Sequence, residues 1–127
     1  MIMGKAEDFF RLAENDLKVA RLILESANDE LMQNSAAYNV EQAVEKLMKG
    51  LIVKGGGIAG ISHNIIELSK DMDELGIDYP RWINEKDDDI TSWATTIRYN
   101  ANFKADHDDI KQVIENTEEW IKELTQR

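Results

Sequence analysis

Polar side chains recur every three or four residues between positions 38 and 49, and this spacing places several of them on one side of a helix. The set consists of Tyr38, Glu41, Gln42, Glu45, Lys46 and Lys49. An aromatic ring, an amide, carboxylates and two amines on one side of a helix can form a polar groove. The alternative is a solvated helix face, whose Glu–Lys pairs each contribute about 0.2–0.5 kcal/mol.

Three further side chains are candidates for chemistry, namely His63, Arg98 and His107. Histidine has an ordinary pKa near neutrality and can take a proton from a hydroxyl, whereas arginine can stabilise developing negative charge. The structural alternatives are that His63 caps or packs at a helix corner and that Arg98 pairs with a carboxylate. Cysteine is absent and no His-x₃-His or Glu-x-x-His spacing occurs, so no metal site is predicted.

Apolar residues with helical spacing predict the elements that position these side chains. We expect helices at 5–28, 35–54, 64–76, 84–101 and from 106 almost to the C-terminus. Asn34 or Ser35 is the expected cap of the second helix, and Asn64, with Ser62 as the alternative, is that of the third. No segment alternates with period two. The prediction is an all-α, up-and-down bundle of four to five helices in a single domain, 1–127.

Glycine and proline mark the connections between the helices. Gly55–Gly57 is expected to end the second helix, because glycine readily adopts the left-handed cap conformation. A phosphate-binding loop is not favoured, since no strand precedes the triplet and no Lys-Ser/Thr follows it. Residues 76–83 are expected to be irregular, with the Asp87–Asp89 run in the first turn of the fourth helix. Trp93 and Trp120 are predicted core residues, and Trp82 is a candidate interface anchor.

Composition narrows the function classes further. The 127 residues include 15 Lys+Arg and 25 Asp+Glu, for a net charge of −10, which argues against binding duplex DNA. A hydrophobic fraction of 43% excludes a disordered acidic chain. No apolar run approaches the roughly 20 residues of a membrane span, and acidic residues near the start do not fit a signal peptide. We expect a cytoplasmic protein with no membrane contact and no cofactor.

The segment Tyr38-x-x-Glu41-Gln42-Ala43-Val44-Glu45-Lys46 resembles the signature helix of HEPN domains (higher eukaryotes and prokaryotes nucleotide-binding). Gly55–Gly57 and then Ser62-His63 follow it, as a glycine loop and a Ser/Thr-His pair do in that family. The resemblance covers residues 5–125. It implies an all-α bundle that forms a homodimer and pairs with a minimal nucleotidyltransferase encoded beside it.

Many HEPN domains are metal-independent ribonucleases that act as toxins, and their active site is an arginine, four to six residues and a histidine. Arg98, followed by Tyr99, matches the arginine. The histidine is expected at positions 103–105, which hold Phe103, Lys104 and Ala105. His107 lies beyond this window. The resemblance therefore implies a member that lacks the standard ribonuclease motif.

We accordingly predict a HEPN-type homodimer that binds a nucleotide or acts as the partner subunit of a minimal nucleotidyltransferase, in a toxin–antitoxin-like module. This hypothesis favours binding over catalysis. One alternative is a ribonuclease that uses Arg98 with His107 or a non-standard base on RNA. The other is a purely structural interaction bundle. The candidate groove consists of Tyr38, Gln42, Glu45, Lys46, Lys49, His63, Arg98 and Tyr99.

Overall fold

The computed structural model describes residues 3–59 and 64–126, apart from the side chains of Met3, Gly4 and Arg98. The described part contains five helices and no strand, which confirms the all-α prediction. None of these helices is long and apolar enough to cross a membrane. The helices are α1 (Met3–Ser26), α2 (Glu30–Lys54), α3 (Ile65–Glu74), α4 (Trp82–Tyr99) and α5 (His107–Thr125).

α2 is the central helix of the bundle, and it contacts α1, α3, α4 and α5. Apolar side chains of α1, α2 and α5 form much of the core, as their stripes predict. Trp93 and Trp120 are each 3% exposed, so their prediction as core residues is confirmed. Each fully buried aliphatic side chain contributes about 1.5–3 kcal/mol. The fold is therefore organised around α2, which also carries the polar stripe.

Two of the predicted helix starts are confirmed by their capping bonds. The Asn64 side chain accepts from the N–H of Ile66 at 2.8 Å, and Asp106 accepts from Asp109 at 3.1 Å. The predicted start of α2 is wrong. Asp29 caps this helix by accepting from the N–H of Met32 at 2.8 Å, so α2 begins at Glu30, five residues before the expected position. α1 spans 3–26 rather than 5–28.

The start of α4 is also wrong, because the helix begins at Trp82 instead of near position 84. The Asp87–Asp89 run consequently lies beyond the first turn, where the acidic residue is Glu85. Pro80 stands shortly before the helix, and Arg81 occupies the cap position without a side-chain hydrogen bond. The ring of Trp82 packs edge to face on Trp120, with centroids 6.0 Å apart, so this residue closes the α4–α5 side of the bundle.

Two of the three consecutive glycines, Gly55 and Gly56, have different roles at this corner. Gly55 caps α2, and its N–H bonds to the carbonyl of Leu51 at 2.9 Å, which confirms the expected helix stop. A Cβ on Gly55 would lie 2.7 Å from Ile77, so the connection after α3 packs directly on this residue. Gly56 has φ of +92°, a conformation that favours glycine. The triplet is a structural corner of the bundle.

Candidate functional site

Three side chains of the polar stripe on α2 lie inside the bundle. Glu41, Glu45 and Lys49 are 0%, 2% and 7% exposed. Because α2 packs against four other helices, its polar side is covered as well as its apolar side. The alternative of a solvated helix face is therefore wrong for these three residues.

The buried residues form one hydrogen-bonded network with Gln42. Lys49 Nζ donates to Glu45 Oε1 at 2.9 Å. Gln42 Nε2 donates to Glu41 Oε2 at 2.9 Å and to Glu45 Oε2 at 3.3 Å. The helical spacings of one, three and four residues allow all of these contacts within α2 itself. We call these four side chains the α2 polar network.

Burial raises the pKa of Glu41 to about 9, and the hydrogen bonding and negative charge of Glu45 act in the same direction. Gln42 and Lys49 act in the opposite direction, but they do not outweigh burial. Glu41 is thus a neutral carboxylic acid at neutral pH, next to the Glu45–Lys49 ion pair. Its Oε1 atom is buried and has no hydrogen-bond partner among the described residues. The network as a whole carries no net charge, as a buried site requires.

Both lysines of the candidate groove are held by carboxylates. Lys46 Nζ lies 2.6 Å from Asp16 Oδ2 of α1, and these side chains are 26% and 17% exposed. Lys49 is paired with Glu45. The charge of each ammonium is already balanced by a carboxylate, so a phosphate there would bring a second anion to the same cation. The arrangement therefore favours a structural role for Lys46 and Lys49 over phosphate binding.

The remaining groove candidates are distributed over the start of α2 and the end of α4. Tyr38 is half-buried, and Tyr99 is 85% exposed. Arg98 is in the last turn of α4, with its side chain outside the described part, and His63 lies outside the described residues altogether. The α4–α5 connection packs against α2 one turn before Tyr38, so Tyr38, Arg98 and Tyr99 belong to the same end of the bundle.

That packing depends on Asn34, whose role the sequence did not reveal. Its Nδ2 donates to the carbonyl of Phe103 at 2.6 Å, and its Oδ1 accepts from the N–H of Ala105 at 2.9 Å. Gln33 adds a bond to the carbonyl of Ala105 at 2.8 Å. Asn34 is 4% exposed and was predicted as a cap. Its spacing of seven residues from Glu41 places both side chains on one side of α2, but only the packing shows that this side is buried.

The three positions where a catalytic histidine was expected all hold structural side chains. Phe103 packs against the core, and Ala105 is 3% exposed. Lys104 forms an exposed ion pair with Glu30 at 3.2 Å. Asn34 fixes the backbone on both sides of this lysine. The segment is thus firmly anchored but contains no histidine, the side chain whose ordinary pKa lies nearest neutrality.

His107 is the first residue of α5, and it lies on another side of this end of the bundle. It lines a crevice of about 290 Å³ between α1 and α5, together with Arg21 and Lys111 among others. Its Nδ1 is 3.3 Å from the exposed carboxylate of Asp108. Its neighbours in the crevice thus come from α1 and α5. Among the described residues, no group of histidine, aspartate and glutamate side chains could hold a metal ion.

A comparison with protein-family models matches residues 6–127 to the HEPN domain, which is nearly the whole chain. Searches of curated proteins and of solved structures find no match.

Proposed function

The chain belongs to the HEPN domain family, and from this membership and the site geometry we propose that it is a non-cleaving HEPN homodimer that acts as the partner subunit of a minimal nucleotidyltransferase. The family consists of helical domains that are related to nucleotides and RNA and that often dimerise. The proposal adds a specific role, a specific partner and the absence of RNA cleavage.

The structure of segment 103–105 is the observation that carries the proposal. Metal-independent cleavage of RNA needs a base with a pKa near neutrality to accept the proton of the 2′-hydroxyl. The segment that would supply it contains a core phenylalanine, an ion-paired lysine and a buried alanine. Since Asn34 anchors this backbone, a small shift of the loop does not bring another side chain into place.

The pairing of the lysines favours a protein partner over a free nucleotide. With Lys46 and Lys49 held by Asp16 and Glu45, the groove lacks free ammonium groups at the two positions that the sequence singled out. The exposed ring of Tyr99 beside Arg98 remains available at the end of α4. Aromatic and arginine side chains are typical anchors of protein interfaces. We therefore place the partner contact at Tyr38, Arg98 and Tyr99.

Incubation of the purified protein with labelled RNA in the presence of EDTA tests the absence of cleavage. We expect no products, even at high protein concentration. Cleavage that disappears in the Arg98→Ala variant, but persists in the Arg81→Ala variant, would overturn the proposal in favour of a ribonuclease. Arg81 is the matched control because it is an exposed arginine at the opposite end of α4.

Co-expression with a minimal nucleotidyltransferase from the neighbouring reading frame tests the partner role. We expect the two proteins to co-purify, and we expect Tyr99→Ala and Arg98→Ala to abolish this complex while Arg81→Ala preserves it. Titration of ATP into the protein alone by calorimetry is expected to give no heat of binding. Binding of ATP that depends on Lys46 or Lys49 would instead establish the groove as a nucleotide site.

A further inference from the structure

A cavity of about 490 Å³ lies at the end of the bundle where α2 and α5 both terminate. Its volume is within the range of roughly 300–1,000 Å³ that small-molecule sites occupy. The cavity is about 24 Å along α2 from Tyr38, so it is separate from the proposed partner contact. Its walls are apolar and consist of Phe10, Leu47, Leu51, Ile77, Ile121 and Leu124.

Two glycines shape this cavity. A Cβ on Gly50 would lie 2.6 Å from the ring of Phe10, and a Cβ on Gly55 would lie 2.7 Å from Ile77. Phe10 and Ile77 therefore pack directly on the backbone at the end of α2. They also pack against the buried core, as do the wall residues of α5. The walls are thus held in place by the fold itself.

The polar groups of the cavity lie at its mouth. Glu14, Lys54 and Thr125 line the cavity and are all exposed. Leu47 and Leu51, in contrast, are 2% and 9% exposed and form the inner wall. An apolar interior with a polar opening suits an amphiphile, whose chain leaves water while its head group stays partly hydrated.

The charge at the mouth determines which head group fits. Glu14 and Lys54 have opposite charges, and the ion pairs found among the described residues include neither of them. Because α2 ends at Lys54 and α5 at Thr125, each helix adds about −0.5 charge. Thr125 Oγ1 donates to the carbonyl of Lys122 at 2.9 Å, which leaves its lone pairs to accept. The mouth is therefore net negative and rich in acceptors.

From this arrangement we propose that the cavity binds a small alkylammonium compound. The alkyl chain contacts the apolar walls, and the ammonium donates to the Glu14 carboxylate and to Thr125 Oγ1. The net charge of −10 of the whole chain favours the approach of such a cation. An alkylcarboxylate would place its charge beside Glu14 and two helix C-termini, with only Lys54 in its favour.

Calorimetric titration with n-octylamine, 1-octanol and octanoate tests the head group at constant chain length. At neutral pH the amine is protonated, as a lysine side chain is. We expect octylamine to bind more tightly than octanol, and octanol more tightly than octanoate. Each CH₂ added between butylamine and octylamine should tighten binding about three- to fourfold as it leaves water. Absence of octylamine binding, tighter binding of octanoate, or an amine affinity that is independent of chain length would overturn the proposal.

Charge variants at the mouth test the position of the ammonium. Glu14→Gln should weaken octylamine binding about tenfold, because it removes a charged acceptor at an exposed position. Lys54→Gln should tighten it about two- to fivefold, because it removes a like charge. The matched control is Glu115→Gln, at an exposed glutamate of α5 outside the cavity, and it should bind like the wild type. Equal weakening by Glu115→Gln, or weaker binding by Lys54→Gln, would contradict the assignment.

A substitution that fills the cavity tests its location. Leu124→Trp should abolish octylamine binding, whereas Leu31→Trp, at a 60% exposed leucine outside the cavity, should preserve it. Binding that persists in a folded Leu124→Trp variant would overturn the proposal, and circular dichroism establishes the folding. Should Leu124→Trp fail to fold, nuclear magnetic resonance of the wild type replaces it. Octylamine is then expected to shift the amide signals of Gly55 and Leu124, and shifts centred on Tyr99 instead would contradict the site.

Discussion

The substitution Glu41→Gln is expected to stabilise the protein at neutral pH. Glu41 is fully buried, and its pKa is raised from 4.5 to about 9, first by burial and then by Glu45. The carboxyl group is thus ionised in the unfolded chain at neutral pH but protonated in the folded one. Glutamine has nearly the same shape as protonated glutamate, and its carbonyl oxygen can accept from Gln42 without the side chain taking up a proton.

The sign and magnitude follow from linkage between protonation and folding. Because the folded chain binds more protons than the unfolded chain, the free energy of unfolding falls as pH rises between 4.5 and about 9. Each pH unit in this range corresponds to about 1.4 kcal/mol. The wild type therefore loses about 3 kcal/mol between about pH 4.5 and 7 through this group, whereas the variant does not. Below the unfolded pKa this contribution is fully present, and above about pH 9 no further loss occurs.

Urea denaturation followed by circular dichroism, at several values between about pH 5 and 8, measures this difference. The free energy of unfolding of Glu41→Gln minus that of the wild type is expected to increase steadily with pH. The control Glu115→Gln, at an exposed glutamate of α5, is expected to give no such trend. Parallel pH profiles for the wild type and Glu41→Gln would show that Glu41 is ionised in the fold and would refute the reasoning.

Three further outcomes are expected from the same structure. Asn34→Ala should lower the free energy of unfolding by about 3 kcal/mol, because it leaves two buried backbone groups without partners. Gln33→Ala should lower it by about 1 kcal/mol. Urea denaturation measures both values, and equal effects would contradict the role of Asn34 as the main anchor. A double-mutant cycle of Asp16→Ala and Lys46→Ala should give a coupling free energy of about 1 kcal/mol. This coupling free energy should decrease little at high salt, since the pair is partly buried. A coupling free energy of zero would show that the ion pair does not link α1 to α2. Gly56→Ala should lower the free energy of unfolding by about 1–2 kcal/mol. The loss comes from the positive φ alone, because no atom lies within 4 Å of the added Cβ. An unchanged thermal midpoint would argue against that backbone conformation.

The helices and the family were accessible from the sequence because both depend on local patterns. Apolar spacing indicates a helix wherever it occurs, and the caps Asn64 and Asp106 act on backbone groups two or three residues away. The signature segment that begins at Tyr38, together with the glycine loop and Ser62-His63 that follow it, predicted the HEPN family, and the match of the family model confirms it. Errors arose where two local signals competed. The cap of α2 was predicted at Asn34 or Ser35, whereas Asp29 caps it, and the start of α4 depended on a turn after Pro80 instead of a side-chain cap.

The sequence by itself determined which residue types stand on α2, but the tertiary structure decided which of them meet solvent. Spacing gives the angular position of a side chain on its helix and says nothing about what covers that position. Because α2 is surrounded by four helices, Glu41, Glu45 and Lys49 are enclosed, and the cost of burying charge converts them into a neutral network. Long-range packing also gave Asn34 its partners, about 70 residues away in the chain. The absence of a histidine at positions 103–105 was visible in the sequence, whereas the fixed, structural character of that segment became apparent only from its contacts with α2.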